Sequence, residues 1–566
     1  MPWCCAHCLR TPAYRPAGSP RLPRKGRQQM TQRFLITCAP PNPNGDLHLG
    51  HLSGPFFGAD VLRRYLRARG RQAVYVAYTD DHSIYVPRRA NELGLTARET
   101  AARYTRRIEQ TLALADMLPD HYSHPHRDSR HDRFVRNHFL ELWKNGTIAE
   151  QELPTPYCPS CQVFRYEAYL RGRCRFCGVP SDGTYCEDCG LPQDPGGLHD
   201  ARCVACGTAP EYRPSRRLVV PLSAFADRLT AVFVASPWRQ RVLDYVTGLV
   251  EQGLPDVPIS READYGLPVP LADWSGHVLD TWFSGIFGYL AATAGYGAAI
   301  GEPGLWRELW QEPETVIVHF IGFDCSFSHA VLWPALLLAL GEYQTPTHVI
   351  SNEFYNLEGE KFSTSRGHAI WGSEFLREAA PDAVRLHLAR TNPEYEKSDF
   401  RSAEFDRTVN DVLVGTLESW AAAVFDELAA QADSVIPAVE STQGSPTVRA
   451  LAEDLPDRLA REFEPDTFSL RGAAGTLVEA VGAAAGEWGA APSHAEPGEL
   501  AAHLELLATL AAVAAPLMPG WSAHTARQLG LRVGLDGLAW PRPGLPVLVP
   551  GQRVAPRFQR LFQARQ

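Results

Sequence analysis

Short apolar bursts alternate with stretches of helical spacing along the first part of the chain. Arg33–Cys38 (RFLITC) is a β-type run that ends in a turn rich in Pro, Asn and Gly. From Leu47 apolar residues recur at amphipathic-helix spacing to about Arg69, Ala73–Thr79 is again β-rich, and helical spacing returns from about Arg88. Strand, glycine turn, helix, strand is the opening of a parallel, doubly wound sheet. A stretch of cysteines, glycines and turns at 158–206 interrupts this rhythm. The β/α pattern resumes at Thr315–Ile321, with a helix near His329–Leu340 and a strand near Thr347–Ser351. From about Glu404 to Leu529, Leu, Ala and Val keep helical spacing with one polar break around Asp433–Pro446, which predicts an all-helical bundle.

Composition narrows the class. At 566 residues the chain exceeds a single core, so several domains are expected. Its 45% hydrophobic and 21% charged content is that of a soluble protein, and no run reaches the ~18–20 apolar residues of a membrane span. The apolar run Ala330–Leu340 is short and reads as a buried helix. A net charge of −9 means that any nucleic acid must be held by a local basic surface.

The cysteines change the picture more. Eight of the thirteen fall in four C-x-x-C pairs: Cys158/Cys161, Cys174/Cys177, Cys186/Cys189 and Cys203/Cys206. That count and spacing supply two closed tetrahedral Cys4 shells, hence two structural Zn²⁺ ions in a reducing compartment. Cys38 and Cys325 stand alone in apolar stretches and read as small core residues, while Cys4, Cys5 and Cys8 lie in an Arg- and Pro-rich leader. That leader lacks the apolar run of a secretory signal, so a cytoplasmic protein is expected.

The expected fold class is thus α/β: a doubly wound, Rossmann-type parallel sheet with a zinc-knuckle insert, followed by an all-α bundle. The boundaries are a leader at 1–29, the first half of the sheet domain at 30–150, the insert at 151–214, the second half at 215–400 and the helical domain at 401–566.

Two segments carry candidate chemistry. Pro41-Asn42-Pro43-Asn44-Gly45-Asp46-Leu47-His48-Leu49-Gly50-His51 lies where the first strand gives way to helix. Two imidazoles flanking Leu-Gly there can donate to a triphosphate, and Gly50 lets a nucleotide approach the backbone. Alone, H-x-G-H equally describes histidines capping a surface helix. Far downstream, Glu360-Lys361-Phe362-Ser363-Thr364-Ser365-Arg366-Gly367 offers a lysine, hydroxyls and a glycine on one loop, suited to a pentavalent phosphorus.

In this order the two segments resemble the signature motifs of class I aminoacyl-tRNA synthetases. The cysteine insert, Thr37-Cys38-Ala39, Arg64–Gly70, Asn91-Glu92-Leu93-Gly94, Pro258-Ile259-Ser260-Arg261, His319-Phe320-Ile321-Gly322 and Trp333-Pro334-Ala335 are similar to the methionyl-tRNA synthetase family. The resemblance covers about residues 31–566 and includes the helical tail. It implies attack of an amino-acid carboxylate on the α-phosphate of ATP, with Mg²⁺, followed by transfer of the aminoacyl group to a hydroxyl of tRNA. It further implies that His48 and His51 contact ATP phosphates, and that Asn44, Gly50 and Asp324 bind ATP. Lys361 would neutralise pyrophosphate, on one loop with Ser363 and Ser365. Asp80 or Asp81 would hold the substrate ammonium, and Asp324 would organise ribose and pocket with Arg261 as its partner. Pro40, Asn42, Trp282, Gly285, Tyr289 and His329 would line the amino-acid pocket. The same resemblance nests the zinc ligands, with one ion on Cys174, Cys177, Cys186 and Cys189 and the other on Cys158, Cys161, Cys203 and Cys206. A monomer is expected.

The chain also departs from that family. Pro40 and Asn42 stand where a leucine and a tyrosine enclose the methionine thioether, and Gly285-Ile286 replaces Ala-Pro. Thr364 replaces the second lysine of the downstream motif, and Phe323 replaces a lysine. Ser419 and Ala423 occupy the anticodon-reading Asn and Arg positions, with Trp488 near the anticodon-stacking tryptophan. A second expectation follows from these departures and from a resemblance to synthetase-like domains of natural-product pathways. It is transfer of an amino acid other than methionine to a small hydroxyl or hydroxylamine acceptor, without tRNA and with a separate zinc cupin partner.

Overall fold

The structure, a computed structural model, describes residues 32–194, 197–362, 368–438, 444–490 and 495–565. The leader cysteines and Ser363 and Ser365 lie outside the described residues. Five parallel strands form the central sheet, in the order His348–Asn352, Thr315–Gly322, Arg33–Cys38, Gln72–Tyr78, His121–Ser123. The first strand is central because Leu35, Ile36 and Cys38 are fully buried and both of its edges are paired. The chain leaves it to one side through Gln72–Tyr78 and returns on the other through Thr315–Gly322. Ligands of such sheets bind beyond the carboxyl ends of the strands, at the point where the winding reverses. The first signature segment starts at such an end, whereas the second opens with Glu360–Lys361, a short strand of a separate sheet with Tyr355–Leu357 and Ser398–Phe400.

The amphipathic stretch after Leu47 is two helices, Leu49–Leu52 and Pro55–Ala68, because Gly54 and Pro55 break it. The edge strand His121–Ser123 carries too few residues for a β pattern to show in the sequence. The helix after Thr315–Gly322 opens with one wide turn at Phe327–Leu332 and continues as Trp333–Leu340.

The insert is an antiparallel arm, Ala149–Cys158 against Glu211–Pro221, carrying two cysteine clusters at its tip. The helical region comprises Ser402–Ala432, Pro446–Phe463, Leu470–Ala490, Pro497–Val513 and Pro519–Gln528, more turns than the single expected break. A buried charge network docks it on the sheet domain. Fully buried Asp60 holds Arg63, Arg64 at 2.8 Å and Arg385 at 2.8 Å, and Arg385 also donates to the carbonyls of Leu517 and Pro516. These guanidinium groups outweigh the cost of burial and hold the Asp60 carboxyl down at about 2.

Candidate active site

The segment after the first strand is fixed from below by Asp46. Its buried carboxylate accepts from Leu47 N (2.7 Å), Thr111 Oγ1 (2.6 Å), Arg107 Nε (3.0 Å) and Ser373 Oγ (2.5 Å). It thereby ties the motif to helices Ala97–Leu114 and Gly372–Glu378. Leu49 N donates to Ile370 O at 3.1 Å and Gly372 N to Leu47 O at 2.8 Å, closing a second clamp. An aspartate inside a motif named for its histidines gave no separate signal in the sequence.

On this platform His48 and His51 stack at 3.7 Å between centroids, and Phe362 stacks on the other face of His48 at 4.6 Å. The first motif is therefore in ring contact with the second. A β-carbon on Gly50 would lie 2.9 Å from His48 Nδ1 and 3.0 Å from Phe362 Cδ2, so this position admits only glycine without displacing His48. Burial, then the charges of His51 and Lys361, drive His48 well below its ordinary pKa. Burial brings His51 to about 4, with Asp46 opposing. Both rings are neutral at physiological pH and can donate to phosphate without a competing counter-ion. Lys361 reaches the carboxylate of Glu187, in the C-x-x-C turn of the second cluster, and lies over the Phe354 ring at 4.5 Å.

A cleft of about 1050 Å³ runs from these residues to the amino-acid side. Pro40, Asn42, Asn44, Gly50, Asp80, Trp282, Gly285, Asp324, His329 and Lys361 all line it. Asn42 is exposed, at the open part of the cleft. Asp80 and Asp81 separate cleanly. The Asp80 carboxylate faces the cleft beside Gly285, whose added β-carbon would sit 3.4 Å from it, and it has no hydrogen-bond partner among the described residues. Burial, then the neighbouring Asp81 and Glu167, push it well above the carboxylate range, a state that a bound ammonium would reverse. Asp81 is turned away, accepting from His126 N (2.7 Å) and bonded to its Nδ1 (2.5 Å).

Two further expectations are displaced. Arg261 pairs with Asp280 at 2.9 Å and not with Asp324, because it lies on the Ser260–Glu262 hairpin beside the Asp280 helix cap. Tyr289 is wholly buried beneath the cleft, edge-on to His329 at 5.7 Å and donating to Cys38 O at 3.3 Å; it supports the wall without lining it. His329 does face the cleft. Its Nδ1 is engaged by Ser328 Oγ at 2.8 Å and its buried Nε2 has no partner among the described residues. Asp324 is raised to about 6 by burial, then by Glu187, with Lys361 opposing. The cysteine insert contributes wall residues that spacing did not reveal, among them Glu167, Asp182, Tyr185 and Glu187.

The eight cysteines form the two nested groups. Sulfur separations are 3.4 Å for Cys158–Cys206, 3.9 Å for Cys161–Cys203, 3.8 Å for Cys174–Cys189 and 3.6 Å for Cys177–Cys186. These are far longer than a disulfide and match the edges of a ZnS4 tetrahedron with ~2.3 Å bonds. Backbone N–H groups of Cys161 and Phe176 point at Cys158 Sγ and Cys174 Sγ at 3.4 Å, a donor set that stabilises thiolates. The residues fit the metal.

A parallel sheet with paired histidines at its switch point and a lysine loop beside them defines a nucleotide-dependent class I synthetase core. The family model for tRNA synthetases class I (M) matches residues 34–424. The chain is 35% identical over 389 residues to the methionine–tRNA ligase of Dehalococcoides mccartyi, covering 68% of this chain and 70% of that protein. It is 33% identical over 419 residues to that of Pyrococcus horikoshii, covering 72% and 58%. In fold it matches Mycobacterium tuberculosis methionyl-tRNA synthetase bound by methionyl-adenylate, with a TM-score of 0.76, 20% identity, and 94% of this chain and 100% of that one covered. The chain belongs to the methionyl family of class I tRNA synthetases, and it is a ligase of that class. Among the described residues no helix is long and apolar enough to cross a membrane.

Proposed function

We propose that this chain condenses an amino acid with ATP to an aminoacyl-adenylate and pyrophosphate, then passes the aminoacyl group to a hydroxyl acceptor. The observation that carries this is the mutual stacking of His48, His51 and Phe362 beside Lys361, which brings both signature segments to one end of the cleft. The amino acid's ammonium sits on Asp80, placing its carboxylate toward the histidines. The carboxylate oxygen attacks the α-phosphorus as the bond to the β-phosphate oxygen breaks. Neutral His48 and His51 donate to the charge that develops on phosphate oxygens, and Lys361 leaves Glu187 to neutralise the pyrophosphate. Catalysis of this kind rests on positioning and charge stabilisation. The two cysteine groups would hold structural zinc, which fixes the insert wall of the cleft. Amino-acid-dependent ATP–pyrophosphate exchange tests the reading, and its absence with every amino acid would end it.

By its family the default acceptor is the 3′ end of tRNA and the default amino acid methionine. One observation favours a second reading, a small hydroxyl or hydroxylamine acceptor. Residues 401–566 contain thirteen arginines, no lysine and twenty carboxylates, a net charge of −7 on the domain expected to hold an anticodon stem. A polyanion binds through local neutralising contacts, so tRNA would depend on a few arginines such as Arg560, 3.3 Å from Ser419 Oγ. Ser419 Oγ is moreover turned back to Val414 O at 2.8 Å. Charging assays with bulk tRNA separate the two readings. A separate cupin partner finds no support in the fold or in the relatives.

A further inference from the structure

Glu167 reaches the cleft from the segment that joins the two cysteine clusters. It begins the short helical turn Glu167–Tyr169 with a φ of +38°, left-handed backbone that a residue with a β-carbon adopts at a cost. Such strain persists where the surroundings impose it, and often where the side chain is used. Here the outcome is a carboxyl group only 7% exposed, set in the cleft wall, with Oε1 accepting from Trp282 Nε1 at 2.9 Å. Its second oxygen takes no hydrogen bond among the described residues.

The groups around it are already engaged. Asp280 and Arg261 hold each other at 2.9 Å, Asp182 accepts from Tyr85 at 3.0 Å and pairs with Arg171 at 2.7 Å, and Tyr185 packs edge-on to Trp282 at 4.7 Å. Among the described residues that leaves three cleft carboxyl groups without an ion partner, Asp80, Glu167 and Asp324, the last of which the family resemblance gives to ATP. A substrate α-ammonium can satisfy one. Burial, then Asp280, raises Glu167 to about 8 in the empty cleft, a shift that a bound donor, an amine above all, would reverse by drawing out the carboxylate.

We propose that Glu167 determines specificity: the amino acid activated here carries a hydrogen-bond donor on its side chain, a hydroxyl, amide or amine, which the free oxygen of Glu167 accepts. The inference rests on the adenylate-forming reading and on Asp80 as the ammonium site. A buried acceptor left unpaired by an apolar side chain penalises that substrate, which is how sites reject close analogues.

The test is pyrophosphate exchange without tRNA, using methionine, norleucine and leucine against serine, threonine, glutamine, ornithine and lysine. Wild type and Glu167→Gln are compared; glutamine keeps a carbonyl for Trp282 Nε1. The best substrate should be a donor-bearing one. Glu167→Gln should lower its kcat/KM by on the order of 10- to 100-fold, and that of methionine far less. In wild type the donor-to-methionine ratio should climb as pH rises through about 8, because the ionised carboxylate is the better acceptor, and the variant should be flat. Asp80, Asp182, Asp280, Arg261, Tyr85 and Tyr185 are the other titratable or charged groups facing Glu167, and all are unchanged in the variant. Methionine or norleucine as the best substrate overturns the inference. So does an equal loss with every amino acid, which would make Glu167 a strut for Trp282. If no amino acid supports exchange, the adenylate reading fails and takes the inference with it.

Discussion

Gly50→Ala is the smallest change that should disable the site while sparing the fold. The added methyl would meet His48 Nδ1 at 2.9 Å, His48 Cε1 at 3.0 Å and Phe362 Cδ2 at 3.0 Å. Carbon contacts relax near ~3.5 Å, so the ring must move by several tenths of an ångström. It has little room, because His51 stacks on it at 3.7 Å and Phe362 at 4.6 Å. The displaced group is a donor that the reaction needs in place, and a misplacement approaching 1 Å costs roughly 10²-fold. Exchange should therefore fall ~10- to 100-fold in kcat/KM for ATP. Alanine favours a helix over glycine by ~1 kcal/mol, which offsets part of the local strain, so the melting temperature should barely move. Exchange kinetics with a thermal melt on the same sample decides it. Activity close to wild type would show that His48 is not the positioned donor.

Other outcomes follow from the geometry. Asp60→Ala leaves fully buried Arg385 without a carboxylate, while Arg63 keeps Asp120 and Arg64 keeps Asp116, and should cost about 3–5 kcal/mol in urea unfolding. Because Asp60 is held at about 2, below its unfolded value, its contribution is complete above ~pH 4 and disappears as pH falls through about 2, which acid titration of wild type against Asp60→Asn would show. Metal analysis should give two zinc ions per chain, and Cys186→Ser should release one, so a chain with no zinc would contradict the sulfur geometry. Glu187→Gln frees Lys361 and should lower KM for ATP a few-fold, ~2 to 5, as befits an exposed pair; a raised KM would mean that the contact assists ATP binding.

Much of this was legible in the sequence, for physical reasons. Arg33–Cys38 and Thr315–Gly322 are buried on both faces and so announce themselves as continuous apolar runs. The C-x-x-C pairs give ligand count and spacing directly, and their nesting followed from the family resemblance. His48, Gly50 and His51 were found because their motif sits at a strand end, where a parallel sheet gathers its chemistry, and Lys361 because its motif resembles the family's second signature. Less was legible where tertiary packing decides. Nothing local separates Asp80 from Asp81; the choice is made by His126, which arrives from a distant turn to bind Asp81. Arg261 found Asp280 through a hairpin register that no motif records. Tyr289 has the same local pattern as a lining residue, yet packs between Tyr78 and His319 beneath the wall. Glu167 went unseen because its role depends on the insert folding over the cleft and on a left-handed backbone turn.

The central claim is that the two signature segments form one adenylating site. Its most direct measurement is ATP–pyrophosphate exchange across all amino acids, without tRNA, on wild type and on His51→Ala and Lys361→Ala. The account predicts exchange that depends on an amino acid and falls at least ~10²-fold in each variant, as expected when a transition-state donor is lost. Exchange that survives both substitutions, or none with any amino acid in folded, zinc-loaded wild type, would contradict it.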